Sequence, residues 1–207
     1  MNYSIYKGHP WHGISPGEKA PETITAFIEI VPTDTVKYEI DKKSGHLKVD
    51  RPQKFSSLCP TPYGFIPRTY CDERIADLAR RDGRKVERGD KDPLDICVLT
   101  EHTLPRSGIL LSAKPIGGFR LLDKGEADDK IIAVLEGDPV FGSATDISDI
   151  PAGLLDRLRH YFLTYKEIPG ESGARRVEIS DVYGVSGAHE VITQSMEDYR
   201  SVFSGQL

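Results

Sequence analysis

GDKDPLDICV, residues 89–98, is the stretch that most strongly predicts the fold and the chemistry of this chain. Three carboxylates, Asp90, Asp92 and Asp95, fall within six positions, and apolar residues then alternate as in a half-buried strand. Pro93 stiffens the turn at a fixed φ. Carboxylates crowded into one turn repel each other, so such a turn is most easily accommodated around a cation. The stretch therefore predicts a rigid acidic site at a strand end, suited to Mg²⁺, Mn²⁺ or Ca²⁺.

The spacing of the acids distinguishes this turn from two common acidic motifs. An EF-hand counted from Asp90 would place its last ligand at Glu101, but Leu94 and Asp95 stand where a ligand and the required glycine belong. The aspartyl nucleophile of a phosphotransferase follows a hydrophobic strand, whereas the charged sequence RKVERG precedes Asp90. From residues 89–98 alone, the alternative interpretation is an acidic turn that is capped by backbone amides and binds no metal, because Asp favours turns for reasons unrelated to metals.

Composition places the chain among ordinary globular proteins. Its 207 residues suit one domain, and 38% hydrophobic and 29% charged residues are typical of a soluble fold. The absence of a long apolar run or a recognisable secretory signal predicts a cytoplasmic protein that does not enter a membrane. The net charge of −5 argues against nucleic acid as a partner. Cys59, Cys71 and Cys97 are odd in number and lack CxxC spacing, which predicts reduced thiols.

Apolar periodicity predicts strands over most of the chain, followed by helices. The predicted strands are 26–31, 36–40, a hairpin or meander through 41–51, the stretch after the acidic turn, 109–116, 118–122, 130–136 and 176–182. Helices are predicted over 151–168 and about 188–203, where apolar residues recur at helical spacing. The pattern predicts an α+β domain, mainly antiparallel β, with a small closed barrel and flanking helices.

Three segments depart from this regular pattern. Residues 1–24 are rich in Pro, Gly and His and are expected to form an irregular N-terminal arm. CPTPYGF, residues 59–65, is expected to be a stiff loop that presents Tyr63. Residues 72–89 are expected to be a charged surface insertion with a short helix. The basic run at 80–88 within this segment suggests an alternative function, a module that binds single-stranded nucleic acid. No aromatic residues interleave with the cations, although such modules use them for base stacking.

A second acidic loop, DKGEADDK at residues 123–130, supplies partners for the first. Its Asp123 and Asp128 and the first cluster could together hold two or more divalent ions. The side chains suited to phosphate oxygens are Lys37, Arg51, Tyr63, Lys130, Tyr165 and Lys166. Since no serine or cysteine nucleophile with a paired histidine is apparent, attack by a metal-activated water on a phosphoanhydride is the simplest mechanism. A hydrolase of a related phosphoanhydride or phosphoester is an alternative interpretation of the same residues.

These motifs together resemble the soluble family I inorganic pyrophosphatases. The resemblance runs through about residues 25–185 and is carried by VKYEIDKKSGHLKVDR, YGFIP, DKDPLDICV, DKGEADDKIIAV and HYFLTYK. It implies a single pyrophosphatase domain with a five-stranded OB-like barrel, flanking helices and extra hairpin strands. It further implies several Mg²⁺ ions, with Mn²⁺ or another divalent ion as an alternative, and hydrolysis of pyrophosphate to two orthophosphates. The family also implies a homo-oligomer, either a dimer or a hexamer.

The resemblance implies a role for each site residue that matches a functional position of the family. Asp92 would be the general base that accepts the proton of the attacking water. Asp90, Asp95 and Asp128 would ligate a metal pair, and Asp123 with Asp128 a metal that arrives with substrate. Glu29 and Glu39 would order outer-shell waters or a further ion. The phosphate ligands would be Lys37, Arg51, Tyr63, Lys130, Tyr165 and Lys166.

The chain also departs from the family pattern. Cys59 stands where family members usually have a tyrosine, so that one hydroxyl contact is expected to be missing. Lys124 replaces a common acid in the second loop. Lys91 is unusual inside the core motif, and its side chain is expected to point away from the flanking acids. The segment 66–89 is longer than in compact bacterial members and is treated as an insertion.

Overall fold

Strands dominate the part of the chain that the structure describes, residues 8–81, 83–166 and 177–203 of a computed structural model. The strands are β1 (Ile24–Ile30), β2 (Val36–Ile40), β3 (Leu47–Pro52), β4 (Tyr63–Phe65), β5 (Arg88–Gly89), β6 (Asp95–Leu99), β7 (Ile109–Asp123), β8 (Glu126–Ala127), β9 (Lys130–Leu135) and β10 (Val177–Gly184). The helices are α1 (Glu73–Arg81), α2 (Ala152–Thr164) and α3 (Val185–Phe203), with a 3₁₀ turn at Ile147–Asp149. The predicted α+β class is confirmed.

Five of the strands close on themselves in a ring. β1 pairs with β4, β4 with β6, β6 with β9, β9 with β7, and β7 with β1. The β6–β9 pair is parallel and the other four pairs are antiparallel. β8 and β10 also pair with β7, while β2 and β3 form a hairpin in a separate two-stranded sheet. The mainly antiparallel pairing and the extra hairpin are as predicted.

β7 is one long strand, whereas the sequence suggested two strands at 109–116 and 118–122. The prediction of two strands was wrong because Gly117, which it left between them, is part of the continuous strand. The structure accommodates this glycine at an irregularity between Pro115 and Gly117, where the register to β9 shifts. A side chain at Gly117 would put its Cβ 2.5 Å from the Tyr183 carbonyl oxygen. Glycine at this position therefore allows β10 to lie close against β7.

The segment 72–89 is more deeply packed than the predicted surface insertion. One face of α1 is fully buried, with Ile75 and Leu78 in the same apolar cluster as residues of α3. Asp198 of α3 accepts hydrogen bonds from the backbone N–H groups of Asp72 and Arg74, at 3.0 and 3.2 Å. The charges of the segment lie on the opposite face of the helix. The predicted short helix is present, but its surface position holds only for the charged face, because Ile75, Leu78 and Ala79 form a core-facing stripe.

The N-terminal arm is irregular, as predicted, where the structure describes it. Trp11 is only 3% exposed, and its indole N–H donates to the Thr69 carbonyl at 2.8 Å, so the arm packs on the domain. Residues 1–7 of the predicted arm lie outside the described residues. None of the helices in the described ranges is long and apolar enough to span a membrane.

The boundaries of three other elements differ from the predictions. YGF, expected to be loop, is strand β4, because its backbone completes the ring between β1 and β6. α2 ends at Thr164 rather than at 168, and the last two predicted positions lie outside the described residues. The C-terminal helix begins at Val185, three positions earlier than predicted, where Asp146 Oδ2 accepts a hydrogen bond from the Val185 N–H at 2.8 Å.

We expect Gly64→Ala to destabilise the ring by about 3 kcal/mol. A Cβ at this position would lie 1.9 Å from the Phe27 carbonyl oxygen, so β1 and β4 would have to separate. The matched control is Gly153→Ala in α2, where no described atom lies within 4 Å of the added carbon. This control should gain up to about 1 kcal/mol from helix propensity. Urea unfolding monitors both variants, and equal midpoints for the two would contradict the prediction.

Candidate active site

The two acidic loops meet because β6 and β9 are parallel neighbours. Asp95 opens β6 and lies opposite Lys130, which opens β9. Each strand is preceded by its acidic turn, and parallel strands begin at the same edge of a sheet. The Asp90 N–H donates to the Ala127 carbonyl at 3.1 Å and joins the two turns directly. The structure therefore brings the predicted first and second acidic clusters together.

A cleft of about 210 Å³, here named the main cleft, lies above this edge. The side chains that line it are Ile30, Lys37, Tyr63, Asp90, Asp92, Asp95, Asp123, Glu126, Asp128, Lys130, Tyr161, Phe162, Tyr165 and Lys166. Most of the predicted site residues are in this set. Glu126 and Tyr161 were not predicted. The cleft combines oxygen ligands with cationic and phenolic donors, which is the chemistry of metal and phosphate recognition.

Lys130 is the central cation of the main cleft. Its buried ammonium forms ion pairs with Asp95 and Asp128, and the Tyr63 hydroxyl donates to the same Asp95 carboxylate. Burial alone would lower the pKa of Lys130, but the carboxylates of Asp128 and Asp95 raise it well above its ordinary value. Burial also raises the pKa of the Tyr63 hydroxyl, with Asp95 adding to the effect. Both groups therefore stay protonated and act as donors.

Asp90 and Asp128 form a second buried pair in the cleft. Burial raises the pKa of Asp90 well above its usual range, and the neighbouring Asp128 carboxylate raises it further. Burial likewise raises the pKa of Asp128, against the opposing effect of Lys130. Two desolvated carboxyl groups in contact cannot both ionise cheaply. In the protein alone the pKa values of this pair are therefore raised, and a bound cation would oppose that effect.

Asp92 is positioned from two sides. Its backbone N–H donates to Asp90 Oδ1 at 3.0 Å, which fixes the turn, and its carboxylate forms an ion pair with Lys42. Both side chains of the ion pair are about half exposed. Lys42 was not predicted from the sequence. The available signal was its position two residues after VKYEI, the strand that carries Lys37 and Glu39.

Glu29 and Glu39 line an adjoining side cavity of about 100 Å³, which shares Lys37, Tyr63, Asp92 and Asp95 with the main cleft. Glu29 is only 7% exposed, and its Oε1 accepts a hydrogen bond from the Ile40 N–H at 2.7 Å. Burial raises the pKa of Glu29 to about 8, with Asp95 contributing in the same direction. Glu39 Oε2 lies 3.6 Å from Lys37 Nζ. The two glutamates thus lie beside the main cleft rather than within it.

Arg51 is not among the residues that line either cavity. It lies across the β2–β3 hairpin from Lys37 in the sheet register. Asp50 pairs with both cations, 2.6 Å from Arg51 and 3.3 Å from Lys37.

On the opposite wall, Lys166 Nζ lies 2.5 Å from Asp123 Oδ2, whereas Asp123 Oδ1 is buried without a hydrogen-bond partner among the described residues.

The three residues that depart from the family pattern lie at the edges of the site. Lys91 points away from the acids as predicted, with its Nζ 3.1 Å from Asp72 Oδ1. Lys124 adopts a positive φ of 55° in the turn between β7 and β8. Cys59 is buried and its thiol contacts the Tyr161 hydroxyl. A phenol is therefore present at this end of the cleft although residue 59 does not supply it.

Comparison with known proteins agrees with this geometry. A family model described as inorganic pyrophosphatase matches residues 26–200. The chain belongs to the inorganic pyrophosphatase family. It is similar to an inorganic pyrophosphatase of Chlamydia muridarum, with 50% identity over 199 residues that cover 94% of this chain and 95% of the relative. A soluble inorganic pyrophosphatase of Arabidopsis thaliana is 39% identical over 92% of this chain and 78% of the relative.

Solved structures of the same family share the fold. The crystal structure of inorganic pyrophosphatase from Thermus thermophilus superposes with a TM-score of 0.76 at 28% identity, covering 94% of this chain and 99% of that one. The resemblance found in the sequence motifs is therefore confirmed.

The donor set of this family member suits a hard divalent cation. As the side chains stand, no group of three acids among the described residues converges into a complete metal site, and Lys130 contacts two of the carboxylates itself. The buried Asp123 Oδ1 nevertheless lacks a partner, and Asp90 and Asp128 share a desolvated pocket. Oxygen ligands with unsatisfied lone pairs are what Mg²⁺ or Mn²⁺ requires. The residues present fit such ions.

Glu29→Gln should stabilise the metal-free protein at alkaline pH. The pKa of Glu29 rises from 4.5 in the unfolded chain to about 8 in the fold, so the folded state retains a proton that the unfolded chain has lost. In the wild type, the contribution of this proton to the free energy of unfolding is fully present below pH 4.5 and is lost as the pH rises through about 8. Relative to wild type, the variant should gain a few kcal/mol between about pH 5 and pH 9.

Urea unfolding in EDTA at the two pH values measures this gain. The exposed Glu18→Gln is the control, and it should show the same difference from wild type at both pH values. A Glu29→Gln effect that does not change with pH would contradict a raised Glu29 pKa.

Proposed function

We propose that this chain hydrolyses inorganic pyrophosphate to two orthophosphates in the main cleft. One observation carries the proposal: buried carboxylates of two converging loops face lysine and tyrosine donors, within a chain of the inorganic pyrophosphatase family. Pyrophosphate has oxygens that only accept hydrogen bonds and needs its negative charge offset before water can attack. The cleft offers both kinds of partner.

Divalent cations, several Mg²⁺ ions or alternatively Mn²⁺, are part of the proposal. Asp90, Asp95 and Asp128 would hold a metal pair, and Asp123 with Asp128 a further ion. When bound, such ions polarise phosphoryl oxygens and offset the charge of the leaving group. Glu29 and Glu39, beside the cleft, would order outer-shell waters or another ion.

Asp92 would take the proton of the attacking water. The water oxygen forms a bond to one phosphorus, the bond from that phosphorus to the bridging oxygen breaks, and the second phosphate leaves as orthophosphate. The support for Asp92 is its half-exposed carboxylate at the mouth of the cleft, held by the Asp90 turn and by Lys42. Lys42 is a positioning residue here, since it orients the carboxylate rather than the substrate.

The cations and phenols would bind the phosphate groups. This set comprises Lys37, Arg51, Tyr63, Lys130, Tyr165 and Lys166. Lys130 and Lys166 now pair with aspartates, and these ammonium groups become available to phosphate oxygens once cations occupy the same carboxylates. Arg51 would have to leave Asp50 to reach a substrate in the main cleft.

The alternative function, a single-stranded nucleic-acid module using the 80–88 run, is not favoured. Within the described part of this run, the arginines already pair with carboxylates: Arg80 with Glu73 at 3.0 Å, Arg81 with Glu190 at 2.8 Å, Arg84 with Glu178 at 2.8 Å and Arg88 with Glu126 at 2.7 Å. Cations neutralised in this way present a weak field to phosphates. A related phosphoester hydrolase is separable by competition between substrates.

Several broader features belong to the same proposal. The closed five-strand ring would be an OB-like barrel within a single domain, with 66–89 as an insertion. The chain would act in the cytoplasm, which suits its three buried, unpaired cysteines. It would assemble as a homo-oligomer, a dimer or a hexamer, and light scattering would distinguish the two.

Asp92→Asn should lower the rate of phosphate release from pyrophosphate by roughly a hundredfold to ten thousandfold, the contribution of a general base. The substitution keeps the shape of the side chain but removes the proton acceptor. Asp156→Asn on the exposed face of α2 is the matched control and should retain wild-type activity. Equal losses in the two variants would overturn the assignment of Asp92.

Removal of divalent cations should abolish phosphate release, because Lys130 and Lys166 would then stay paired with their aspartates and the phosphate charge would not be offset. The measurement is orthophosphate release from pyrophosphate in EDTA, followed by titration with Mg²⁺ and, separately, Mn²⁺. Activity should return with the cation. Undiminished hydrolysis in EDTA would rule out the metal site, and absence of hydrolysis at every cation concentration would rule out the proposed function.

A further inference from the structure

Tyr161 has no role in the proposed mechanism, yet its side chain lines the main cleft. It lies in the last turn of α2 and is only 7% exposed. Its ring stacks on Tyr165, with centroids 4.9 Å apart and an interplanar angle of 20°. Tyr165 belongs to the proposed phosphate ligands. The stacking therefore holds a second phenol next to one that faces the substrate.

Gln53 is a second polar group without an assigned role. It follows β3 directly, and its backbone N–H donates to the Thr35 carbonyl at 3.0 Å, which fixes the position of this residue. Its side chain neighbours the Tyr161 hydroxyl. Apart from this hydroxyl, the buried amide nitrogen Nε2 has no hydrogen-bond partner among the described residues. Buried donors of this kind are uncommon unless a ligand or water completes them.

We propose that the Tyr161 hydroxyl and the Gln53 amide together form an additional contact to one phosphate group of pyrophosphate, on the side of the main cleft between β3 and α2. Tyr161 lines the main cleft one helical turn before the predicted phosphate ligand Tyr165, and the Gln53 side chain adjoins the Tyr161 hydroxyl from outside the residues that line the cleft. Both are hydrogen-bond donors, and phosphate oxygens are acceptors. The inference rests on the proposed function, because it names further residues of the same site.

The Tyr161 hydroxyl is suited to donation. Burial raises its pKa above the ordinary value, so it keeps its proton at physiological pH. The hydroxyl also contacts the Cys59 thiol, which fixes its side of the cleft. A purely structural role would consist of ring stacking and this thiol contact. Tyr161→Phe keeps the ring stacking and removes the hydroxyl with its contacts to Cys59 and Gln53, so the KM for pyrophosphate, rather than stability, is the readout that a purely structural role would not change.

Two variants test the contact, Tyr161→Phe and Gln53→Met, each close to its parent in shape but without the donor. The KM for pyrophosphate and the Kd for inorganic phosphate are measured with saturating Mg²⁺. Each variant should raise both constants about tenfold, in the range of a hydrogen bond to a charged group, with a smaller change in kcat. Because the donors share one phosphate, the double variant should raise KM by less than the product of the single effects.

Tyr199→Phe is the matched control. This phenol is also buried, 2% exposed, and its hydroxyl bonds to His12 Nδ1 at 2.8 Å, away from the cleft. The control should change thermal stability but leave KM within about twofold of wild type. KM and Kd values unchanged in both cleft variants, with wild type active, would overturn the contact while leaving the proposed function intact. Wild type without pyrophosphate hydrolysis would overturn both.

Discussion

The parallel pairing of β6 with β9 is the constraint on which the site depends. It places Asp95 opposite Lys130 and sets two acidic turns side by side at one edge of the sheet. Charges of one sign crowded at such an edge would destabilise it, and the buried Lys130 offsets part of that repulsion. The same contacts leave acids, cations and phenols facing one cleft. The fold therefore maintains an arrangement that a cation and a phosphate would complete.

Local sequence patterns predicted the residues whose role follows from their own element. Asp90, Asp92 and Asp95 share one turn, and alternation in VKYEI was enough to put Lys37 and Glu39 on one face. Most of the main cleft was accordingly predicted. The pairings of Lys42 with Asp92 and of Tyr161 with Cys59 were not, because they join positions 50 and 102 residues apart in the chain. Periodicity carries no information on contacts at that separation.

One error in the predicted fold and one alternative function have a similar origin. Gly117 looks like a strand break when only its neighbours are considered, but it is required by the close approach of β10 to β7. The basic run at 80–88 looks like a free cationic surface because its acidic partners lie elsewhere, at Glu126, Glu178 and Glu190. In both cases the deciding neighbour is distant in sequence. The composition of a segment therefore does not reveal which distant residues it contacts, and those contacts determine its role in the fold.

The closed ring and the β2–β3 hairpin support the site with unequal stability. The acids of β6 and of the turn before β9 are tied into the closed ring, whereas Lys37, Glu39, Lys42 and Arg51 belong to a two-stranded sheet of their own or to its turn. A two-stranded sheet is marginal without support and opens at lower free energy than a closed ring. The hairpin is tied to the ring by the hydrogen bond from the Ile40 N–H to Glu29 and to the acidic turn by the Lys42–Asp92 ion pair. A ligand that displaced Lys42 from Asp92 would therefore loosen the hairpin without opening the ring.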